Sequence, residues 1–429
     1  MTDSDTLVHG AAELVVGPED GRQGGLDTVE NGAVAVTDGR VAAVGPSSEV
    51  CREYPPENAD RAIDATGKTV LPGFVDPHTH ALFAGDRSAE FVAKIQGRSY
   101  TEIMEAGGGI PVTVEAVRQA NEEQLLAALC QQLDALLAHG TTTAEVKSGY
   151  GLDTGTEKRM LAAIERADEA HPVDLVPTFM GAHAVPEGQT TDEYIDSVVD
   201  DQLPAVAEQG VAAFCDVFCE EGVFDVEQSR RVLQAGSEHG LAPKIHAEEF
   251  SRIGGAALAA DLGAASADHL LQATEADARA LAEAGVVPTL LPATAFTLGE
   301  AYADPEPFVE AGAPVALGSD LNPSCFVHSM PFVVSLACLR MGMLPGEAVR
   351  GATHTAALAL DREDGTGTLA PGSAADLAIV DLPSHVHLAA NAGTNRVETV
   401  LADGELVVAE GCVLVDEPAS AARTGGDPR

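Results

Sequence analysis

Residues 71–80 read LPGFVDPHTH, a short apolar run that ends in two histidines. The part Gly73–Asp76 has the length and composition of a buried strand, and His78 and His80 follow it directly. Seven further apolar runs follow, and amphipathic helical stretches separate them. This alternation is typical of α/β proteins with a parallel sheet, and eight units favour a (β/α)8 TIM-like barrel over an open doubly wound sheet.

The repeating unit is regular enough to place each strand. The helical stretches end in glycine, which is the usual residue after the last turn of a helix. The glycines in question are Gly140, Gly210, Gly240, Gly285 and Gly312. The predicted strands are Gly73–Asp76, Thr143–Lys147, Leu175–Met180, Ala213–Phe218, Pro243–His246, Ala265–Asp268, Val286–Leu290 and Pro314–Gly318.

The two ends of the chain have a different pattern, with short β-strands joined by turns. Asp38-Gly39 and Asp403-Gly404 each lie between apolar runs, which is a strong signal for a β-hairpin. We therefore predict a small composite β-sandwich domain from residues 1–70 together with 366–415. The barrel then spans 71–365, and residues 416–429 form a frayed tail.

Charge narrows the range of partners. The chain of 429 residues has 24 Lys and Arg against 67 Asp and Glu, a formal charge of −43. Such a surface repels phosphate backbones and anionic lipid, so neither nucleic acid nor a membrane is an expected partner. The acidic residues are spread along the chain and Lys is scarce, a composition that suggests a halophilic organism.

Cysteine usage and the N-terminal sequence bear on the location. Seven cysteines without paired motifs fit a reducing compartment better than a disulfide framework. No basic, apolar leader opens the chain, and no apolar run approaches the length of about 18 residues that a membrane span needs. These features predict a cytoplasmic protein.

Polar residues gather where the predicted strands end. Parallel barrels keep their active sites at this carboxyl-terminal face. The residues are His78, His80, His183, Glu220, Glu221, His246, Glu249, His269 and Asp320. His78 and His80 alone fit a structural role equally well, but His246 and Asp320 complete three nitrogen ligands and one oxygen ligand. This set leaves room for water, as a catalytic metal requires.

Residues 71–80 resemble the opening motif of the amidohydrolase superfamily. Five further motifs resemble the imidazolonepropionase family more specifically, and the likeness covers nearly the whole chain. They are HALFAGDR at 80–87, AGGGI at 106–110, KSGYGL at 147–152, HAEE at 246–249 and SDLNP at 319–323. The resemblance implies hydrolysis of 4-imidazolone-5-propanoate to N-formimidoyl-L-glutamate, the third step of histidine degradation.

The resemblance also implies a set of roles for the reaction. Members with two metals use a carboxylated lysine after the fourth strand, where this chain has Phe218-Cys219-Glu220-Glu221. We therefore expect one Zn²⁺ or iron ion per subunit, with nitrogen and oxygen ligands that suit either. His269, Asp320 and Glu249 are candidates for proton transfer, in an order that the sequence leaves open. Relatives suggest a homodimer.

The substrate has a propionate, which needs a cation in so acidic a chain. Arg87 fills that role by resemblance, because a guanidinium can hold a carboxylate with two parallel bonds. The other implied substrate contacts are Tyr100, Tyr150, His183, Glu249, Asn322, Ser324 and Cys325. Ser324-Cys325 departs from the family, which usually has Gly and then Ser or Thr there, so these two contacts are the least secure.

Two other interpretations remain open. Another mononuclear amidohydrolase or aminohydrolase could act on a different small heterocycle, although a neutral ring would not need Arg87. A non-catalytic barrel would have no physical need for four intact ligands. Glu220 and Glu221 could support the site or face solvent, and Lys147 could pair with a carboxylate.

Overall fold

The computed structural model describes residues 2, 4–19, 25–98, 102 and 108–414. The strands, in chain order, are β1 Ser4–Pro18, β2 Leu26–Thr37, β3 Arg40–Pro46, β4 Ala59–Asp64, β5 Thr69–Pro72, β6 Phe74–Asp76, β7 Thr141–Lys147, β8 Asp174–Ala182, β9 Phe214–Cys219, β10 Ala242–Ala247, β11 Ser266–His269, β12 Val287–Leu290, β13 Ala316–Leu317, β14 Leu377–Val380, β15 Val397–Ala402, β16 Glu405–Ala409 and β17 Cys412–Val413. The predicted tail at 416–429 lies outside the described residues.

The helices lie mainly between the strands of the central region. They are Ser47–Glu53, Ser88–Ile95, Ile110–Gln119, Glu122–Ala138, Thr154–Ala170, Thr191–Ser197, Leu203–Gln209, Val226–Glu238, Gly255–Leu262, Glu275–Ala284, Pro292–Leu298, Glu306–Ala311, Met330–Met341, Pro345–Gly351, His354–Leu358 and His385–Ala390. Among the residues with a described structure, no helix has the length and apolar character needed to cross a membrane.

Strands β6 to β13 form one parallel sheet in which each strand pairs with its neighbours in sequence. The sheet closes just past its first and last strands, where Thr79 and Leu321 form a parallel bridge. The His80 N–H donates to the Leu321 carbonyl at 2.9 Å, and the Asp320 N–H donates to the His78 carbonyl at 3.0 Å. Barrel closure therefore brings His78, His80 and Asp320 together.

The predicted barrel is confirmed, since every predicted strand overlaps an observed one. The differences are at strand ends: β8 extends to Ala182, and β13 is only Ala316–Leu317. The five glycines predicted to end helices all have positive φ, between 73° and 90°, which lets the chain leave a helix without a side-chain clash. The apolar face of the helix Glu122–Ala138 is fully buried, as Leu125, Leu129, Leu133, Leu136 and Leu137.

The other strands come from both chain ends and form a nine-stranded mixed sheet. Antiparallel pairing of β14 with β5 joins the two ends. Both predicted hairpin turns are present, and all four residues of Asp38-Gly39 and Asp403-Gly404 have positive φ. The turns also touch, because a Cβ on Gly39 would lie 2.8 Å from the Asp403 carbonyl oxygen.

The mixed sheet has an aliphatic core of its own and leads directly into the barrel. Val34, Leu377 and Leu401 are among the buried residues of this core. The link from β5 to β6 is Gly73, whose N–H donates to the Asp376 carbonyl at 2.9 Å. A Cβ on Gly73 would lie 2.1 Å from the Thr142 hydroxyl, so only glycine fits. This tight link fixes where β6, and hence the site, begins.

Candidate active site

Four predicted metal ligands converge at the carboxyl-terminal face of the barrel. His78, His80 and His246 each offer a ring nitrogen, and these atoms lie within 4.8 Å of one another. The Nε2 atoms of His80 and His246 are 3.2 Å apart. An Asp320 carboxylate oxygen lies 3.6 Å from His78 Nε2 and 3.7 Å from His80 Nε2. Strands β6, β10 and β13 thus deliver one compact set of three nitrogens and one oxygen.

The donor atoms fit a metal ion. Ligands at about 2.0–2.2 Å from a tetrahedral metal are about 3.3–3.6 Å from one another, close to the separations found here. His78 Nε2 is buried and has no hydrogen-bond partner. Burial lowers the pKa of His78 and of His80 well below the usual value, so both rings are neutral and can offer lone pairs.

Two buried carboxylates orient the metal-facing rings from behind. Asp268 Oδ2 lies 2.6 Å from His78 Nδ1, and Asp216 Oδ2 lies 3.0 Å from His246 Nδ1. A carboxylate only accepts, so each Nδ1 carries a proton, and in the neutral form of the ring this leaves Nε2 as the nitrogen with a lone pair. This arrangement sets the tautomer of a metal-binding histidine and raises its basicity.

Lys147 connects these carboxylates. Its Nζ lies 2.7 Å from Asp216 Oδ2, 2.7 Å from Glu145 Oε2 and 3.9 Å from Asp268 Oδ2. All four side chains are fully buried. Burial alone would lower the pKa of Lys147, but the carboxylates outweigh it and raise the pKa above the usual value. The carboxylate partners of Lys147 are therefore inside the barrel, beneath the ligands.

Glu249 and His269, both predicted to transfer protons, lie beside each other next to the ligands. His269 Nδ1 is 3.6 Å from Glu249 Oε1, and the His269 ring centroid is 5.1 Å from that of His246. Burial raises the pKa of Glu249 well above its usual value, and the carboxylates of Asp320 and Glu220 add to this. A buried carboxyl group with a raised pKa next to an imidazole can exchange a proton with it in either direction.

The segment after β13 holds Asp320 and the predicted contacts that follow it. The Thr294 hydroxyl donates to Asp320 Oδ2 at 2.6 Å. Asn322 is engaged within its own turn, because its amide donates to the Asp320 carbonyl and its oxygen accepts from the N–H groups of Ser324 and Cys325. Ser324 is exposed, whereas the Cys325 thiol is buried near the Ser319 carbonyl. The side chains of these residues are thus not directed to one common point.

Arg87 already has a carboxylate partner in this chain. Its Nε and Nη2 donate to the two oxygens of Glu90 at 2.9 and 2.7 Å. Glu90 also accepts the Gly109 N–H at 2.7 Å, which ties the helix Ser88–Ile95 to the start of the helix Ile110–Gln119. Arg87 nevertheless contributes to the low pKa of His183, so its charge reaches the site.

Tyr150 and His183 line the side of His80. The His183 ring stacks on His80 with centroids 5.0 Å apart, and the Tyr150 ring lies 5.1 Å from His183. Burial lowers the pKa of His183 to about 3, so its ring is neutral. Tyr100, the remaining predicted contact, lies outside the described residues.

Glu220 and Glu221 have different environments. Glu220 is buried and accepts the N–H groups of Phe250 and Ser251, at 3.0 and 3.3 Å, together with the Ser251 hydroxyl. It therefore holds the chain just after Glu249. Glu221 is exposed.

Sequence reasoning missed Asp216 and Asp268, and with them the partner of each histidine. Both are acidic residues inside almost wholly buried strands, β9 and β11. That position was a usable signal, because a lone charge in a buried strand needs a partner. Which histidine each carboxylate contacts depends on strand register, so it could not be predicted from the local sequence.

Two protein-family models match the sequence of this chain. A model described as "Amidohydrolase family" matches residues 69–407. A second model, "Imidazolonepropionase-like composite domain, bacteria", matches residues 32–56 in the mixed sheet.

Solved structures confirm the fold. An adenosine deaminase from Xanthomonas campestris with bound zinc has a TM-score of 0.74 at 17% identity, covering 97% of this chain and 95% of that one. An atrazine chlorohydrolase variant from Arthrobacter aurescens, complexed with zinc and atraton, has a TM-score of 0.68 at 17% identity, covering 96% and 97%.

Curated relatives narrow the family. Imidazolonepropionase of Halobacterium salinarum is 65% identical over 96% of this chain and 100% of its own length. That of Haloarcula marismortui is 62% identical over 95% and 97%, and that of Geobacillus kaustophilus is 48% identical over 91% and 93%. The chain belongs to the imidazolonepropionase family of amidohydrolases.

Proposed function

We propose that this chain hydrolyses the ring amide of 4-imidazolone-5-propanoate to N-formimidoyl-L-glutamate, the third step of histidine degradation. The observation that carries the proposal is the convergence of two bare ring nitrogens, from His78 and His246, beside the buried pair of Glu249 and His269. Metal ligands and proton carriers in one place are what hydrolysis of an amide needs.

One Zn²⁺ or iron ion per subunit would be held by His78, His80, His246 and Asp320. Such an ion lowers the pKa of a water toward neutrality and polarises a carbonyl. Nitrogen and oxygen donors suit both metals. The carboxylates of Asp216 and Asp268 keep the ligand rings in the tautomer that binding requires.

Proton transfer falls to the buried groups around the ligands. Asp320 and His269 accept the proton that the attacking water loses. Glu249, whose pKa is raised by burial, donates a proton to the ring nitrogen as the bond from that nitrogen to the carbonyl carbon breaks. The adjacent His269 then returns a proton to Glu249, so water adds hydroxyl to carbon and hydrogen to nitrogen with no net change in the protein.

The propionate of the substrate would be bound by Arg87. Among the described residues, Glu90 binds the Nε and Nη2 edge of that guanidinium, and Nη1 and the second hydrogen of Nη2 would bind the substrate. Tyr150 and His183 would contact the imidazolone ring, and Tyr100 and the backbone from Asn322 to Cys325 would complete the pocket.

The remaining expectations concern the whole molecule. The charge and the cysteine usage support a cytoplasmic enzyme that contacts neither nucleic acid nor membrane. A homodimer is the assembly that we propose. The two sheets support a division into a composite unit, 1–70 with 366–415, and a barrel unit, 71–365.

The test is ultraviolet loss of freshly generated 4-imidazolone-5-propanoate in molar KCl, with and without a chelator. We expect conversion to formimidoylglutamate that the chelator abolishes and added Zn²⁺ or Fe²⁺ restores. A folded, metal-loaded sample without turnover would refute the proposal and redirect the search to another cyclic amide or heterocycle.

Arg87→Ala separates binding from metal loading. KM should rise at least about tenfold, because a carboxylate loses its cation, while metal content stays unchanged. Arg279→Ala is the matched control, since Arg279 also pairs with a helix glutamate, Glu275, but at the surface. An unchanged KM in Arg87→Ala would remove Arg87 from the substrate site.

A further inference from the structure

The fully buried carboxylate of Glu157 binds the backbone of the loop that follows β7, residues 148–152. Its Oε2 accepts the Gly149 N–H at 2.9 Å, and its Oε1 accepts the N–H groups of Gly151 and Leu152 at 2.7 and 2.8 Å. Three backbone donors of a five-residue loop thus end on one side chain. Glu157 is 0% exposed.

Position alone would assign Glu157 a lesser role. It lies in the first turn of the helix Thr154–Ala170, where acidic residues commonly stabilise the helix dipole. An exposed side chain would be sufficient for that role, and Asp153 already caps the N-terminus of this helix. The oxygens of Glu157 instead face the preceding loop, which is an interaction that a helix does not require.

The loop is built around this carboxylate. A Cβ on Gly151 would lie 2.8 Å from Glu157 Oε1, so only glycine admits the close approach. Leu152 has a φ of 54°, a left-handed conformation that is unfavourable for a leucine. The surrounding contacts must maintain such a conformation, and the hydrogen bond from the Leu152 N–H is one of them.

A second tie holds the opposite side of the loop. Arg118 Nε donates to the Gly151 carbonyl at 2.7 Å, and Arg118 Nη2 donates to the Leu152 carbonyl at 3.2 Å. Glu157 thus binds the N–H groups of the loop from inside the protein, and Arg118 binds its carbonyls from the partly exposed side. The loop has little freedom to change its course.

This loop carries the residues that line the site beside His80. The Tyr150 ring lies 5.9 Å from the His80 ring. The Gly149 carbonyl is 3.0 Å from His183 Nδ1, and a carbonyl only accepts, so the proton of neutral His183 is on Nδ1. His183 Nε2 therefore offers a lone pair, and the position of Gly149 sets this.

We propose that Glu157 is a positioning residue for substrate binding, which fixes the 148–152 loop and through it Tyr150 and the tautomer of His183. The ligand concerned is the heterocycle that these two rings contact. The kinetic part of the test rests on the proposed function, whereas the loop itself is measured without substrate.

The direct test is amide hydrogen exchange in metal-loaded Glu157→Gln, in molar KCl. The amide side chain replaces one acceptor oxygen with a donor that faces the loop N–H groups. Exchange at Gly149, Gly151 and Leu152 should be at least about tenfold faster, with β7 unchanged. Unchanged exchange in this loop would overturn the proposal even if the chain acts on a different substrate.

Kinetics distinguish positioning from general stability. In Glu157→Gln, KM should rise about tenfold, kcat should change less than about threefold, and metal content should stay unchanged. Combination with Tyr150→Phe should raise KM by less than the product of the single effects, because both changes act on one contact.

Ile164→Ala is the matched control, since Ile164 lies on the same helix, is fully buried and carries no hydrogen-bonding side chain. It should lower the melting temperature without raising KM. If Glu157→Gln behaves like this control, the role is structural only and the proposal fails.

Gly151→Ala displaces the carboxylate from the other side and should reproduce the exchange and KM changes. This variant provides a second test if Glu157→Gln folds poorly.

Discussion

The interior of the barrel beneath the metal ligands and the core of the mixed sheet are both buried, yet their chemistry is opposite. Beneath the ligands lie two lysines and three carboxylates, all fully buried: Lys147, Lys244, Glu145, Asp216 and Asp268. The core of the mixed sheet is aliphatic, with Val34, Leu377 and Ile379 among its members. One region is built from ion pairs and the other from packing.

The ionic layer serves the function of the site, whereas the aliphatic core of the mixed sheet serves stability. Taking a charge out of water costs several kcal/mol, so a buried ionic layer rarely stabilises a fold better than an apolar one of the same volume. Its use here is orientation, because Asp216 and Asp268 hold the rings of His246 and His78. The aliphatic sheet has no such task and contributes burial energy alone.

Lowering the salt concentration tests the charges that surround both regions and should have the largest effect. At −43 the surface repels itself, and dilution from molar to millimolar KCl lengthens the screening distance from about 3 Å to tens of ångströms. We expect the chain to unfold at much lower temperature in dilute salt. Identical melting curves, measured by circular dichroism at both concentrations, would contradict a halophilic design.

Lys147→Met tests the ionic layer. It removes the lysine partner of the buried Asp216 and leaves Glu145 with Lys244 alone, which should cost about 3–5 kcal/mol of unfolding free energy. Metal affinity should weaken by about 10–100-fold, because the support of His246 is disturbed. Denaturant titration and competition with a metal indicator measure the two effects. Lys158→Met, on the outer helix, is the control; equal metal affinity in both variants would refute the coupling.

Ile379→Ala tests the aliphatic core. Ile379 is 1% exposed, and truncation should cost about 2–5 kcal/mol. Metal content and KM should match the unaltered chain, because no ligand or substrate contact is changed. A raised KM would mean that the mixed sheet shapes the site and that the two regions are not separate in function.

Asp376→Asn tests a buried acidic group at the junction of the regions, and its effect should be the smallest. Burial raises the pKa of Asp376 to about 7, and the carboxylates of Asp403 and Asp174 add to this. The folded chain then keeps a proton that the unfolded chain, with a pKa of about 3.9, releases earlier. Its contribution to stability is complete below pH 4 and is lost as the pH rises through 7.

Melting temperatures between pH 4 and 8 measure this contribution. The decline over that range should be shallower in Asp376→Asn than in the unaltered chain. The Asn side chain can still accept the Asp403 N–H, so the local hydrogen bond is retained. Parallel curves would mean that Asp376 titrates as it does in the unfolded chain.

How far the candidate site could be predicted from the sequence differs by residue. The convergence of His78, His80, His246 and Asp320 was predictable because each lies at or just after the end of a strand, and parallel strands end at one face. Arg87 was expected to bind the propionate of the substrate, and in the structure its guanidinium also pairs with Glu90. That pairing spans only three residues, yet such spacing is common on helices and carries no signal of its own.

The amino-acid sequence by itself determined the barrel, the helix ends and the chemistry available at each strand end, because these follow from periodicity within a few residues. The tertiary structure alone decided the partners. Asp216 pairs with His246, Lys147 lies near the carboxylates of Asp216 and Asp268, and Glu157 binds the loop before its helix. Such contacts depend on barrel closure and strand register. These are set by the packing of the whole chain, so no local pattern encodes them.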